Sequence, residues 1–194
     1  MAGVSLLVEP MTVADVEAER PALIALLQDA VDSGASVGFL PPLAADEASA
    51  YWTSVIGGLR EGSRVLLGAR DAALGLVGSA QIELAMRANA AHRAEVAKVM
   101  VHRRARRRGV GRALMVAAEE HARQLGRTTL ILDTRQGDPS EVLYRAVGWT
   151  FAGAIPDYAR SASGALDATA FYYKLVTVSS PPPRAREPRN RSDA

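Results

Sequence analysis

The sequence predicts an α+β fold, an α/β sandwich in which a mixed, mostly antiparallel sheet of about six to seven strands carries helices on both faces. Two observations lead to this class. Short β-rich runs form a hairpin in the first half of the chain, and a strand–helix–strand unit follows in the second half. A hairpin gives an antiparallel pair and a crossover helix gives a parallel pair, so both kinds of pairing are expected.

The first half is predicted to contain a strand, two helices and a hairpin. The apolar run 4–8 is typical of a strand. Thr12 and Asp15 offer N-caps for a helix reaching residue 31, in which Pro21 marks a first turn or a kink. Glycines and prolines make 32–43 a loop. A second helix follows at 46–59, and a hairpin is predicted from 64–70 and 74–86.

The second half is predicted to alternate strands with two helices. The alternating run 95–101 indicates a strand, and 109–125 indicates an amphipathic helix that Gly126 ends. The nearly continuous apolar run 128–134 favours a buried strand. A short helix at 138–147 begins with Pro139. Two last strands, 149–154 and 169–176, are expected to flank a loop at 156–167.

Composition indicates one domain followed by a tail. With 194 residues, 48% of them hydrophobic, the chain is long enough to bury one core. No apolar run reaches the roughly 20 residues of a membrane span, and the N-terminal stretch lacks the basic start of a signal peptide. The absence of cysteine excludes disulfides and thiolate chemistry. We expect a cytoplasmic protein, with a domain at 1–178 and a disordered, basic, proline-rich tail at 179–194.

The positive charge of the chain is local. Of 23 basic and 21 acidic residues, the tail holds four arginines and two acids, so the body is balanced at 19 against 19. Such a body is not that of a general nucleic-acid binder. Its arginines cluster around one glycine turn: Arg103, Arg104, Arg106, Arg107, Arg108 and Arg112.

The stretch from Glu95 to Arg112, EVAKVMVHRRARRRGVGR, organises the rest of the chain. A strand leads into the arginine-rich loop, and Gly109 and Gly111 then begin a helix. Glycine lets the backbone approach a phosphate closely, while the unpaired N–H groups and dipole of a helix N-terminus favour an anion. The sequence therefore predicts a pyrophosphate site, with a plain glycine turn and solvated arginines as the alternative.

The loop from Arg106 to Gly111 fits the pattern R-x-x-G-x-G, and a buried strand and a short helix carrying Tyr144 follow it. In this order the features resemble the GNAT superfamily of acetyl-CoA-dependent N-acetyltransferases over roughly residues 4–176. Within it, the segments GASVGFL, AEVAKVMV and LDT and the Leu143-Tyr144 pair are similar to the tabtoxin resistance type. The resemblance implies a GNAT-like sheet and transfer of an acetyl group from acetyl-CoA.

The same resemblance implies which residues bind the cofactor. The backbone of Met100 and Val101 would hydrogen-bond the pantetheine arm, and an N–H near Val101 would stabilise the oxyanion. The segment from Arg106 to Arg112 would form a cradle whose main-chain N–H groups hold the pyrophosphate. The arginines of this cradle would attract the 3′-phosphate of the cofactor. Arg107 stands where many members carry glycine. The cradle comprises Arg106, Arg107, Arg108, Gly109, Val110, Gly111 and Arg112. For Arg103 and Arg104 we prefer the alternative to cofactor binding, in which both side chains lie on a solvated face.

Acetyl transfer needs a base, because a primary amine has a pKa near 10.4 and arrives protonated. Glu95 begins the strand before the loop, and Asp133 lies toward the end of the next buried strand. If these strands are neighbours, both carboxylates face one cleft, and the resemblance supports a catalytic or substrate-binding role for both. The alternatives are an ion pair of Glu95 with Arg93 or another arginine, and a cap or turn role for Asp133.

Three aromatic side chains are further candidates. The resemblance assigns Tyr144 the role of general acid toward the thiolate, whereas a core position beside Leu143 and Trp149 is the alternative. Phe39 or Tyr172 is expected to line the substrate pocket. The histidines have no partner at ligand spacing, so no metal is expected.

The expected reaction is direct attack of a small-molecule amine on acetyl-CoA in a ternary complex, because no cysteine is available for an acyl-enzyme. Loops 32–43 and 156–167 would shape the pocket. An antibiotic or toxin as acceptor is the narrower inference. Membrane and nucleic-acid partners are not expected, and a homodimer is left open. The alternatives are a non-catalytic polyanion- or nucleic-acid-binding module that uses the arginines, and an enzyme that acetylates protein termini or lysines.

Overall fold

The computed structural model describes residues 6–177, in which seven strands form one sheet between helices. The predicted α+β fold is confirmed. The strands are β1 (Leu6–Pro10), β2 (Arg64–Asp71), β3 (Gly75–Leu84), β4 (Arg93–Val101), β5 (Thr129–Arg135), β6 (Thr150–Arg160) and β7 (Leu166–Leu175). The helices are α1 (Val13–Ala18), α2 (Arg20–Asp32), α3 (Ala45–Glu61), α4 (Val110–Gln124) and α5 (Ser140–Ala146). The tail predicted at 179–194 lies outside the described residues.

The sheet has the order β1-β2-β3-β4-β5-β7-β6. Among the described strands, β4 and β5 form the one parallel pair, and the other neighbours are antiparallel. The parallel pairing covers only three residues on each strand, from Arg93 with Thr129 to Glu95 with Ile131. Beyond Glu95 the two strands part, which opens the middle of the sheet.

The helix predicted from residue 12 to 31 is two helices in the structure. Thr12 caps α1 as expected, in a capping box in which Thr12 and Asp15 each accept from the other's backbone N–H. The chain then breaks at Glu19, where φ is −97° and ψ is 11°. Pro21 stands in the first turn of α2, where its missing N–H costs nothing, so the proline begins a new helix.

Each face of the sheet carries its own hydrophobic core. One core lies under α1–α3 and contains Leu27, Trp52 and Leu66, and the other lies under α4 and α5. Leu125, the last residue of the amphipathic helix predicted at 109–125, is 44% exposed. The helix ends at Gln124, one residue earlier, and Ala122 is the last buried position of its stripe.

The prediction of a loop at 156–167 is wrong. β6 continues to Arg160 and β7 starts at Leu166, so only a short turn separates them. The two strands lose register between Ile155 and Ala159, where Asp157 has a φ of +52°. Pro156 cannot donate to a strand ladder, so this irregular stretch of an edge strand has the composition of a loop.

Candidate active site

A cleft of about 670 Å³ lies where β4 and β5 part. It is lined by residues 99–101 of β4, by 105–107 and 109–112 of the loop and α4, by residues 33–35, and by parts of 138–146 around α5. Met100 and Val101, which were predicted to hold the cofactor through their backbone, are among them. The cleft thus joins the predicted strand, the glycine turn and the short helix of Tyr144.

The glycine turn has the geometry of an anion cradle. Gly109 precedes α4 with a φ of +83°, and Arg107 has a φ of +61°. Within the described part of the chain, the N–H groups of residues 107–112 have no hydrogen-bond acceptor. A Cβ on Gly111 would approach Leu143 Cδ2 to 3.1 Å, so glycine lets α4 and α5 pack closely there. Free N–H groups at a helix N-terminus fit a pyrophosphate.

The arginines of the turn divide into two groups. Arg106, Arg107 and Arg112 line the cleft, and among residues 6–177 neither Arg107 nor Arg112 has an acidic partner. Arg108 is directed elsewhere, because its Nη2 donates to Asp71 Oδ2 at 2.9 Å. Its predicted role in cofactor binding is therefore limited to the backbone. Arg104 donates to the Leu74 carbonyl at 2.9 Å but remains exposed, in agreement with the solvated face preferred for it.

Two buried acids, which the sequence analysis missed, hold the arginine loop in place. Asp29, at the end of α2, accepts from the Arg103 backbone N–H at 2.8 Å and from the Arg103 guanidinium. Arg103 thus anchors the loop, while its side chain stays 59% exposed, in agreement with the solvated face preferred for it. Asp71 accepts from the N–H groups of Ala73 and Leu74 and pairs with Arg108. An acid in helical or turn context gives no local signal for a partner so distant in sequence.

The predicted carboxylates lie on one face of the sheet. Glu95 is opposite Glu83 on β3 and Ile131 on β5, and Asp133 follows Ile131 by two residues. Side chains alternate along a strand, so Glu95 and Asp133 point to the same side. In residues 6–177 neither carboxylate has an ion-pair or hydrogen-bond partner, which argues against the paired and capping alternatives. Neither residue is among the lining residues of the two cavities described here, and their catalytic role stays a prediction.

The surroundings raise the pKa of both carboxyls. Burial raises the pKa of Glu95, and the negative charges of Glu83 and Asp133 raise it further. Desolvation of its carboxyl raises the pKa of Asp133, although the residue as a whole is exposed. The ammonium of Lys98 opposes both pKa shifts. A carboxylate with a raised pKa is a better proton acceptor, because it retains a proton at a higher pH.

Tyr144 is both a core residue and a cleft residue. It is 6% exposed, stacks edge-on with Tyr172 at 5.9 Å between ring centroids, and still lines the cleft. Burial raises the pKa of Tyr144 to about 12, an effect that the Ser140 hydroxyl partly offsets. The phenol therefore keeps its proton and can donate it or a hydrogen bond into the cleft.

A smaller cavity of about 230 Å³ adjoins the cleft, and both contain Gly34, Ala35 and Arg135. Phe39, which was predicted to contact the substrate, lines this cavity and packs edge-on against Tyr51 at 5.3 Å. Arg135 donates to the Gly34 carbonyl at 2.9 Å and joins the loop to β5. The role of Phe39 in substrate binding stays a prediction.

Tyr172 does not belong to either cavity, which corrects its predicted role in substrate binding. It is 1% exposed, and its hydroxyl donates to Glu141, which also accepts from the Gly137 N–H at 2.6 Å. On β7 the neighbouring Phe171 points to the opposite face and stacks with Tyr158 at 5.4 Å. Phe171 lies opposite Asp133, so it is the aromatic of this strand on the carboxylate face.

Residues 6–177 contain no group of three side chains able to hold a metal ion. Over the same residues, no helix combines the length and apolar character of a membrane span.

Comparison with known proteins identifies the family. The chain belongs to the acetyltransferase (GNAT) family, whose model matches residues 24–149. Among solved structures, it is similar to a ribosomal-protein-alanine N-acetyltransferase from Brucella melitensis, with 26% identity and a TM-score of 0.72 over 88% of this chain and 99% of that one.

Two further structures share the fold at lower identity. A GCN5-related N-acetyltransferase from Kribbella flavida is 22% identical, with a TM-score of 0.72 over 89% of this chain and 98% of that one. A phosphinothricin acetyltransferase from Sinorhizobium meliloti, solved in complex with acetyl-CoA, is 19% identical, with a TM-score of 0.72 over 94% and 96% of the two chains.

Proposed function

We propose that this protein transfers the acetyl group of acetyl-CoA to a primary amine of a small molecule by direct attack in a ternary complex. One observation carries the proposal: two carboxylates without ion-pair partners, Glu95 and Asp133, share one sheet face next to the point where β4 and β5 part, and the cleft that opens there ends in an anion cradle. The family and the acetyl-CoA in a related structure support the donor.

In this proposal each group has a separate task. The free N–H groups of residues 107–112 bind the pyrophosphate of acetyl-CoA, with Arg107 and Arg112 adding charge attraction. Acetyl-CoA supplies an activated acyl group. Glu95 or Asp133 takes the proton of the acceptor's ammonium, directly or through water, and Tyr144 donates toward the departing sulfur.

A small acceptor is favoured by the size of the second cavity. Its volume of about 230 Å³ is below the roughly 300 Å³ at which pockets for drug-sized ligands begin. The phosphinothricin acetyltransferase among the similar structures supports the narrower proposal of an antibiotic or toxin as acceptor. The tabtoxin resistance type remains part of that narrower proposal.

Acetylation of a protein N-terminus is a second candidate, supported by the similarity to the ribosomal-protein-alanine enzyme. A polyanion-binding module is less well supported, because Arg103, Arg104 and Arg108 are engaged with Asp29, the Leu74 carbonyl and Asp71. Loss of nucleic-acid affinity with rising salt would support that module.

The test is release of free thiol from acetyl-CoA with panels of β-lactam amino acids, aminoglycosides and a peptide that begins with alanine. We expect turnover with a small amine and much less with the peptide. Turnover with the peptide alone would favour the N-terminal enzyme. No thiol release and no thermal protection by acetyl-CoA would contradict both candidates.

A further inference from the structure

Lysine is scarce in this chain. Of the 23 basic residues only two, Lys98 and Lys174, are lysines. Lys174 is engaged: its Nζ donates to Glu119 Oε2 and to the Val147 carbonyl, each at 2.6 Å. Lys98 differs, because its Nζ has no hydrogen-bond or ion-pair partner among residues 6–177.

Lys98 directly precedes the residues of β4 that line the cleft. It has a φ of +50° and lies where β3 and β4 shift register, between the pairs Ser79–Met100 and Gln81–Ala97. Such a bulge redirects a side chain. The next three residues of β4 all line the cleft.

The Lys98 amine lies among the groups that the proposed reaction uses. A Cβ on Gly38 would stand 3.4 Å from Lys98 Nζ, so the amine reaches the loop that lines the smaller cavity. Its charge lowers the pKa of both Glu95 and Asp133, so the ammonium is within electrostatic reach of each. A primary amine beside two unpaired carboxylates is the arrangement that we propose for an acceptor.

We propose that Lys98 is a site of self-acetylation: without another acceptor, its ε-amine takes the acetyl group of acetyl-CoA bound in the cleft. The inference rests on the proposed function, because it uses the same donor and the same carboxylates. It adds a covalent modification of the enzyme itself.

The step balances as an aminolysis of a thioester. Glu95 or Asp133 removes one proton from the Lys98 ammonium and passes it to solvent. The nitrogen then bonds to the thioester carbonyl carbon, and its second proton passes to the ionised carboxylate or to water as the carbon–sulfur bond breaks. The thiolate takes a proton, from Tyr144 or from water, and leaves as free coenzyme A. The product is N-acetyl-Lys98, with one proton released overall.

The experiment incubates the full chain with acetyl-CoA alone, followed by tryptic digestion and mass spectrometry. Trypsin does not cut after acetyl-lysine. It should therefore release residues 94–103 as one peptide when Lys98 is acetylated, and as two peptides when Lys98 is free. We expect Lys98 to be acetylated and Lys174 to stay free. The rate should be first order and independent of protein concentration, because the reaction is intramolecular.

Two variants separate the site from chemical labelling by acetyl-CoA in solution. Gly111→Asp disturbs the cradle, and the double variant Glu95→Gln, Asp133→Asn removes both bases, so each should slow Lys98 acetylation at least about tenfold. Equal labelling of Lys98 and Lys174, or an unchanged rate in both variants, would overturn the inference.

The same preparation distinguishes this inference from the proposed function. Thiol release with small amines while Lys98 stays unmodified overturns self-acetylation and leaves the proposed function standing. Acetyl-Lys98 without turnover of any amine supports self-acetylation and contradicts the small-molecule acceptor. Failure of acetyl-CoA to bind contradicts both.

Discussion

Glu95 carries a charge that the folded protein disfavours. Its pKa is raised by burial and by Glu83 and Asp133, so the folded state holds the carboxyl proton more tightly than the unfolded chain does. The free energy of unfolding therefore falls as pH rises from the unfolded pKa through the folded one. A side chain that weakens the fold where the chemistry is expected fits a functional role.

Replacing this carboxyl should separate stability from activity. At neutral pH, Glu95→Gln should raise the melting temperature slightly, because a disfavoured charge is removed, and should lower turnover at least about tenfold while sparing acetyl-CoA affinity. Calorimetry and the thiol assay measure the two effects. The exposed Glu9→Gln should change neither, and unchanged turnover in Glu95→Gln and Asp133→Asn alike would remove the carboxylates from the mechanism.

The pH profile depends on Lys98. Glu95 and Asp133 have raised pKa values, so kcat/KM should fall at low pH. The midpoint of this acidic limb should lie above the ordinary carboxyl pKa of about 4.3. Lys98 lowers both pKa values, so Lys98→Met should move this limb to higher pH. Lys98→Arg keeps the charge and should leave the limb close to its wild-type position. A limb that moves downward in Lys98→Met contradicts this coupling.

The Tyr144 hydroxyl can be tested apart from its ring. Tyr144→Phe keeps the edge-on contact with Tyr172 and the packing of the core. If the phenol donates to the leaving sulfur, kcat should fall by up to about 100-fold with little change in melting temperature or acetyl-CoA affinity. Steady-state kinetics and ligand titration provide the measurement, and an unchanged kcat would leave Tyr144 with a packing role alone.

At the scale of elements, the anion cradle depends on a contact between α2 and the arginine loop. Asp29 is 8% exposed and holds both the backbone and the side chain of Arg103, three residues before Arg106. The N–H groups of the cradle belong to the segment that follows. Their positions are therefore fixed by a helix whose own sequence contains no phosphate-binding motif.

Loss of this anchor should weaken cofactor binding from a distance. Asp29→Ala leaves the Arg103 backbone N–H without its acceptor, which should lower the free energy of unfolding by about 1–3 kcal/mol. The dissociation constant for acetyl-CoA should rise, whereas kcat at saturation should change little. Denaturant unfolding and calorimetric titration measure the two quantities. Asp32→Ala, at the exposed end of the same helix, serves as the control.

At the scale of the whole molecule, the sequence predicts the elements better than their contacts. Local signals such as the N-cap at Thr12 and Gly126 after α4 are set by neighbours in the chain, and both were predicted. Which of Phe171, Tyr172 and Tyr173 faces the core depends on the register of β7, and three consecutive aromatics do not reveal it. The Asp29–Arg103 pair joins residues 74 positions apart, beyond any local pattern.

The predicted tail can be tested by truncation. If 179–194 packs against nothing, a chain ending at residue 178 should keep its melting temperature and its turnover. It should lose some retention on a polyanionic resin, because it lacks four arginines. Thermal unfolding, the thiol assay and salt elution cover these outcomes, and a lower melting temperature would show that the domain extends past residue 178.

Only three residue pairs join β4 to β5, so the sheet consists of two panels, β1–β4 and β5–β7, with a seam between them. A molecule bound along this seam would contact both panels and restrict their movement relative to each other. Amide hydrogen exchange should then slow on both sides of the seam when the cleft is filled, as if a missing strand had been added to the sheet.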